Sequence, residues 1–433
     1  MLNFLKNATF RTTIVVIFRI VVGCVFIFSG FVKIIDPYGG FYKVEDYLVA
    51  FGWNFFIPIA FIGSVLQNAF EFLLGICLLF GANIRSTSFL TMLFMAVMLP
   101  LTLYIAIFNP VTDCGCFGDA LIISNWATFW KNVVFSFMIV VVFLWHSYSP
   151  QLFTQRTEWL IAIYAGFFAL AVTWYSYQNL PIIDFRPYKI GTDIKKSMEI
   201  PEDAPRDQYE TILVYEKEGV KQDFTIENYP QDPSWTFVEA KNKLVQKGYR
   251  PPIHDFTMED PEYGDITEDM IEDPGYTFLL ISPKIENAST DKRNEINAVY
   301  DFARKQGYNF YALTSTSLGS KELEEYIIEA GGAEYPFMNT DEITLKTIIR
   351  SNPGLVLIKD GRVINKWSNK NIPAFNKPLE ESELGQPQLR NNTKTIAYSV
   401  TGFIIPLLVI LGLDHLIGLV QKRRKKGNAV ISE

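Results

Sequence analysis

Cysteine and histidine are both scarce in this chain of 433 residues, with four and three copies respectively. None of the cysteines lies between Leu180 and Lys394. That absence excludes a disulfide framework for the stretch, which must fold on an ordinary apolar core. A metal site would need two more ligands beside the cysteines present, and no further cysteine or nearby histidine offers them. Clustered positive charge is missing from that stretch too. Between Leu180 and Lys394, 37 Asp and Glu stand against 26 Lys and Arg, a balance that argues for solubility and against a nucleic-acid partner. No internal repeat is evident, and no small-residue cleavage site follows the first apolar run, so that run is expected to be retained.

What the chain has in quantity is long apolar runs. Its hydrophobic residues, 49% of the total, gather in six stretches at about 13–35, 57–81, 86–108, 126–146, 158–178 and 396–420. As helices, each is long enough to cross the hydrocarbon core of a bilayer. The expected fold class is an α-helical membrane bundle with an α/β domain between the fifth and sixth spans. Basic residues near the span ends orient it. Lys422 to Lys426 follow the last span, and counting back places Lys6, Arg11, Arg85 and Arg156 on the same side. Both termini are then expected in the cytoplasm, and residues 179–394 share the outer face with the loop after span three.

That loop reads Asp113-Cys114-Gly115-Cys116-Phe117-Gly118, two thiols with one residue between them. Gly115 permits the tight backbone that a small ring needs. Thiol reactivity follows the thiolate fraction, which cations raise. Lys33, at the outer end of span one, is the nearest expected cation, with Asp113 and Asp119 opposing it. A redox pair, structural thiols or a disulfide, and a metal half-site all stay open on these residues alone. Cys24 and Cys77 differ in depth by roughly 10 Å at 1.5 Å per residue, too far for a disulfide. Both are read as packing residues.

Charges inside spans usually face a protein interior or a polar cavity. Arg19 in span one needs a partner, and Glu71 in span two, with Gln67 and Asn68 on the same helical face, offers one. An ion pair that locks the bundle and a proton or ligand site are the two readings. The segment between these spans is expected to lie along the interface with Trp53 as an anchor. Beyond span five, residues 181–394 read as α/β. A hairpin is expected to pair Thr211–Tyr215 with Gln222–Ile226, and a strand to cover Tyr276–Ser282. Helices fit 291–306, 320–329 and 341–349, the last with Thr340 as N-cap. A second hairpin is expected to turn at Asp360-Gly361.

The first part, about residues 10–148, resembles the DoxX and MauE families of bacterial membrane proteins. The resemblance rests on the order Arg19, Ser29-Gly30-Phe31-Val32-Lys33, Glu71 and above all the Cys114-Gly115-Cys116 motif. It implies a four-helix core, with thiol-disulfide or electron transfer on the periplasmic side of the inner membrane and, in some relatives, a link to quinone. Residues 251–373 are similar to the thioredoxin fold in its TlpA or peroxiredoxin form, on Pro252-Ile253-His254-Asp255-Phe256, the strand before Ser282, and Asn352-Pro353-Gly354. Pro353 would then be the cis-proline of that fold. Where redox members carry their cysteines this chain has Ser282-Pro283-Lys284, so the domain itself performs no exchange.

The resulting division is 1–148 for the four-helix membrane domain, 149–180 for a fifth span, 181–394 for the extracytoplasmic domain, and 395–433 for the sixth span and basic tail. Catalysis is assigned to Cys114 and Cys116 with Lys33, a quinone or proton site to Arg19, Gln67, Asn68 and Glu71, and partner binding to Pro353. An envelope protein or thiol is the expected partner of such an inner-membrane oxidoreductase. Two other classes compete with it. One is a non-enzymatic adaptor whose thioredoxin-like domain binds an envelope partner, and the other is a small-molecule carrier built on Gln67, Asn68 and Glu71.

Overall fold

The computed structural model describes residues 7–111, 113–154, 157–246, 248–389 and 392–431. Lys6, Arg156 and the side chains of residues 422–426, on which the orientation partly rests, lie outside that description. Helices α1 (Ala8–Ile34), α2 (Pro37–Ala50), α3 (Ile57–Phe80), α4 (Ile84–Phe108), α5 (Asn125–Leu144) and α6 (Glu158–Gln178) come first. All but α2 are long and apolar enough to cross a membrane, as is Thr393–Gly418 near the C-terminus. The chain is a multi-pass membrane protein.

Close approach of α1 and α3 depends on glycine. A Cβ on Gly30 would stand 2.6 Å from the Phe72 amide nitrogen, and one on Gly75 would stand 2.6 Å from that of Ile27. Small residues let membrane helices pack backbone to backbone, and here they also set the register. Gly30 faces Phe72, Gly75 faces Ile27 and Gly23 faces Leu79, so each residue of α1 has a defined level on α3. The segment expected along the interface is helix α2. Asp36 caps it by accepting from the Gly39 amide (2.9 Å), and Pro37 fills its first position, where no amide is needed.

After α6 come α7 (Ile194–Met198), β1 (Gln208–Lys217), β2 (Val220–Thr225), β3 (Thr236–Gln246), β4 (Glu259–Asp260), β5 (Gly264–Asp265), α8 (Thr267–Glu272), β6 (Tyr276–Ser282), α9 (Arg293–Gln306), β7 (Asn309–Thr314), α10 (Lys321–Glu329), β8 (Phe337–Asn339), α11 (Glu342–Ile348), β9 (Gly354–Lys359), β10 (Arg362–Ser368) and α12 (Asn392–Ile431). The larger sheet has the order β10-β9-β6-β7-β8-β4-β5. Strands β6, β7 and β8 run parallel, while β9 lies antiparallel to β6 and β10 antiparallel to β9. This is a thioredoxin-like topology. Every residue of β6 is buried, because Leu279 and Ile281 enter the core on one face and Phe278 and Leu280 the core on the other.

The hairpin turn at Asp360-Gly361 is present, with both residues in the left-handed region (φ 49° and 65°) that such turns demand. The expected hairpin around Gly219 also forms, but β3 joins it to make a separate three-stranded sheet, β2-β1-β3. Thr340 is not the cap of α11. Asp341 takes that place, accepting from the amides of Ile343 and Thr344 (2.9 and 3.0 Å), while the Thr340 hydroxyl donates to the Thr257 carbonyl. A carboxylate one residue on offers two lone-pair directions to the free amides of the first turn, and so it wins.

Candidate functional site

The thiol pair lies in the loop between α4 and α5, at the end of the bundle on which the α/β domain sits. Cys114 and Cys116 are joined as a disulfide. Gly115 between them has φ 63°, a conformation that costs a glycine nothing. A Cβ there would stand 2.8 Å from Cγ of Lys43. Asp113 shapes the turn. One carboxylate oxygen accepts from the Gly115 amide (2.8 Å) and the other from Lys43 Nζ (2.8 Å). Carbonyls on both cysteines are also held, that of Cys114 by the Tyr47 hydroxyl (2.7 Å) and that of Cys116 by the Ser29 hydroxyl (2.5 Å). Lys43 and Tyr47 are four apart on α2, so one helical face carries both ties.

The α/β domain supplies a further tie. Arg350, between α11 and β9, donates from Nε to both oxygens of Asp36 (3.2 and 3.1 Å), from Nη2 to Asp119 (2.7 Å) and from Nη1 to the Lys346 carbonyl (2.6 Å). Its guanidinium lies over the Tyr42 ring, 5.2 Å from the centroid. Burial alone would lower its pKa, but Asp36 and Asp119 together hold it above the usual arginine value. Two more buried cations serve the same helix end. Arg186 donates to the Thr347 carbonyl and Lys366 to the Ile348 carbonyl, so three successive carbonyls at the end of α11 each meet a cation. Asp184 balances the latter pair, bonding Arg186 at 2.9 Å and Lys366 at 3.1 Å. Burial would raise this carboxylate, yet its two cations carry it well below the usual range. On the neighbouring helix face, Lys346 bonds Glu45 of α2 at 3.2 Å.

Two cavities adjoin the disulfide. The larger, about 430 Å³, lies between α2, α3 and α4 and includes Tyr47, Gln67, Asn68, Leu93, Met98, Cys114 and Cys116 in its walls. Asn68 is 3% exposed, and its amide nitrogen finds no hydrogen-bond acceptor among the described residues. The smaller, about 30 Å³, holds room for roughly one water and is lined by Lys33, Glu71, Lys131, Asn132 and Cys116 among others. Lys131 Nζ stands 4.4 Å from the centroid of the Phe117 ring.

The expected pairing of Arg19 with Glu71 is overturned. Glu71 bonds Lys33 at 2.5 Å, and Arg19 donates to the Ser149 hydroxyl and the Pro150 carbonyl (both 2.9 Å) at the opposite end of the bundle. Helix register is the reason. With Gly30 against Phe72, Glu71 sits at the level of Phe31, about 18 Å along the helix from Arg19 at 1.5 Å per residue. Of the four residues expected at a cofactor site, Gln67 and Asn68 reach the large cavity, Glu71 reaches the small one, and Arg19 reaches neither.

Lys33 lines both cavities beside Cys116, although its charge is engaged by Glu71. Pro353 follows a cis peptide bond and is itself buried, beside the half-buried Ser351 and Asn352. Asn352 closes the place, donating to the Lys284 carbonyl (2.9 Å) and accepting from the Ser282 hydroxyl (2.6 Å). Cys24 and Cys77 are free thiols; Cys77 is packed, whereas Cys24 lies on the exposed helix surface and is no packing residue. Lys43, Tyr47, Ser29, Lys131 and Arg350 were not legible as site residues. The four-residue spacing of Lys43 and Tyr47, just after the Asp36-Pro37 helix start, and the place of Ser29 in the Ser29–Lys33 run are the signals that point to them.

No curated protein matches the chain. A solution structure from Bacteroides thetaiotaomicron, described as a protein disulfide isomerase, matches at 12% identity over 27% of this chain and 76% of that one, with a TM-score of 0.23, too low to carry weight. Residues 209–247, which contain β3 and most of β1, match a domain of unknown function. Residues 11–146, which hold the disulfide, both cavities and the Ser29, Lys43 and Tyr47 ties on its loop, match the family of methylamine utilisation protein MauE.

Proposed function

We propose that the chain is a membrane thiol-disulfide oxidoreductase in which Cys114 and Cys116 cycle between disulfide and dithiol. The observation that carries this reading is the disulfide itself, closed across one residue and tied by α1, α2 and the α/β domain. In the exchange, a partner thiolate attacks one sulfur, the S–S bond breaks, and a mixed disulfide and one free thiol result. The partner's second thiolate then displaces the remaining cysteine, so the partner leaves as a disulfide and the pair holds two electrons and two protons. Lys43 and Lys33 line the cavity wall beside the two cysteines, each with its charge met by a carboxylate, Asp113 and Glu71.

Basic residues at the span ends favour cytoplasmic termini, with the disulfide and residues 179–394 in the periplasm of the inner membrane, a compartment where disulfides persist. A quinone, the acceptor implied by the family resemblance, fits the large cavity: the unpaired Asn68 amide and Gln67 would hold its carbonyl oxygens, and it would take up two electrons and two protons there. In cells, alkylation trapping should show both oxidised and reduced Cys114–Cys116, and a Cys116→Ser variant should accumulate a mixed disulfide through Cys114. A pair that stays in one state under every condition, or full activity from Cys114→Ser, would sink the reading.

A further inference from the structure

Among the ties on the disulfide loop, one comes from far along the chain. Ser29, Lys43 and Tyr47 belong to the membrane domain, whereas Arg350 comes from the thioredoxin-like domain, 231 residues beyond Asp119. We propose that Arg350 is a positioning residue for the Cys114–Cys116 pair: by gripping Asp36 and Asp119 together, it fixes the loop in the shape that closes the disulfide. This builds on the reading of the pair as the reactive group. It also gives the cysteine-free domain a task, since a fold that has lost its own thiols here holds those of the membrane domain.

Chemistry at the contact supports the assignment. Arg350 is 6% exposed, and all three of its nitrogens are engaged. Asp36 is the cap of α2, the helix that carries Lys43 and Tyr47, and Asp119 follows Cys116 by three residues. One planar guanidinium therefore joins the helix that holds the front of the loop to the segment that ends it. A lysine, with a single point of charge, cannot reproduce that fork. Without Arg350, two carboxylates would face each other across the loop unneutralised. A loop free to relax brings its two sulfurs together less readily, so the disulfide becomes easier to reduce.

The test is a redox titration of the full-length protein in detergent against defined mixtures of reduced and oxidised dithiothreitol, with the Cys114–Cys116 state read by alkylation. Arg350→Gln and Asp119→Asn should each lower the equilibrium constant for disulfide formation about ten-fold, a shift of about 30 mV, and the double variant should shift no further than either single one. Glu45→Gln, which breaks the Lys346 contact on the same interface but touches no part of the loop, should titrate as wild type. Wild-type midpoints for Arg350→Gln and Asp119→Asn would overturn the proposal, as would a Glu45→Gln shift equal to theirs. If Arg350→Gln does not fold, Asp119→Asn decides alone, because Asp119 is 34% exposed and the change keeps its size and shape. Reduction by dithiothreitol needs no cellular partner. A pair that never cycles in cells would therefore defeat the functional reading and leave this measurement intact.

Discussion

At the scale of single residues, the buried charges decide most. Lys33 and Glu71 are 11% and 7% exposed within the bundle, so each is tolerable only because of the other. Glu71→Gln should therefore cost about 3–5 kcal/mol by stranding Lys33, while the double change Lys33→Met/Glu71→Leu should recover much of that; thermal melts in detergent compare the two. Asp184 gives a pH signature. Its folded pKa is depressed below the unfolded value of about 3.9, so its stabilisation is fully present above about pH 4 and is lost as the pH falls through the folded value. Wild type should lose stability more steeply than Asp184→Asn on acidification from pH 5 to pH 2. Which residues inside spans carry charge was legible from sequence, but how they pair was not. Arg19 and Glu71 look matched when residues are counted from span ends, and the glycine-set register of α1 on α3 moves them apart and puts Lys33 in Arg19's place.

Among the elements, α1 and α3 form the hinge of the design, because their contact is made at glycine. Gly30→Leu would drive a side chain into the Phe72 backbone, and the variant should fail to give a monodisperse peak in detergent size-exclusion chromatography. Gly63→Ala, where a Cβ meets nothing within 4 Å, should behave as wild type. All six spans were legible because apolar runs of that length have one physical use. Helix α2 was visible only as a stretch of mixed polarity, since it packs on α3 with one face and keeps the other for Asp113, Cys114 and the α/β domain. Strand β3 escaped notice for a related reason: its Thr236–Gln246 sequence is mostly exposed and carries Lys and Asn where a buried strand would show an apolar face.

Across the whole molecule, the thioredoxin-like order of strands could be anticipated from strand and helix alternation and from Asn352-Pro353, but its seat on the bundle could not. That seat depends on Lys346 and Arg350 meeting Glu45 and Asp36, more than 300 positions away, and no local pattern announces such distances. Sidedness is directly measurable. A single cysteine at exposed Tyr229, in a chain whose four native cysteines are serine, should react with a membrane-impermeant maleimide added outside spheroplasts, and labelling only after lysis would reverse the orientation. The domain is strung between α6 and α12, and α12 is moored at the far end of the bundle, where Asp414 accepts from the amide and hydroxyl of Thr154 (3.0 and 2.6 Å). A domain leashed to the membrane at both ends cannot diffuse away when its contacts break. Its return to the loop after any opening is an intramolecular event at a local concentration set by its two connections to the membrane, so the contact re-forms without needing the affinity that a separate protein would need.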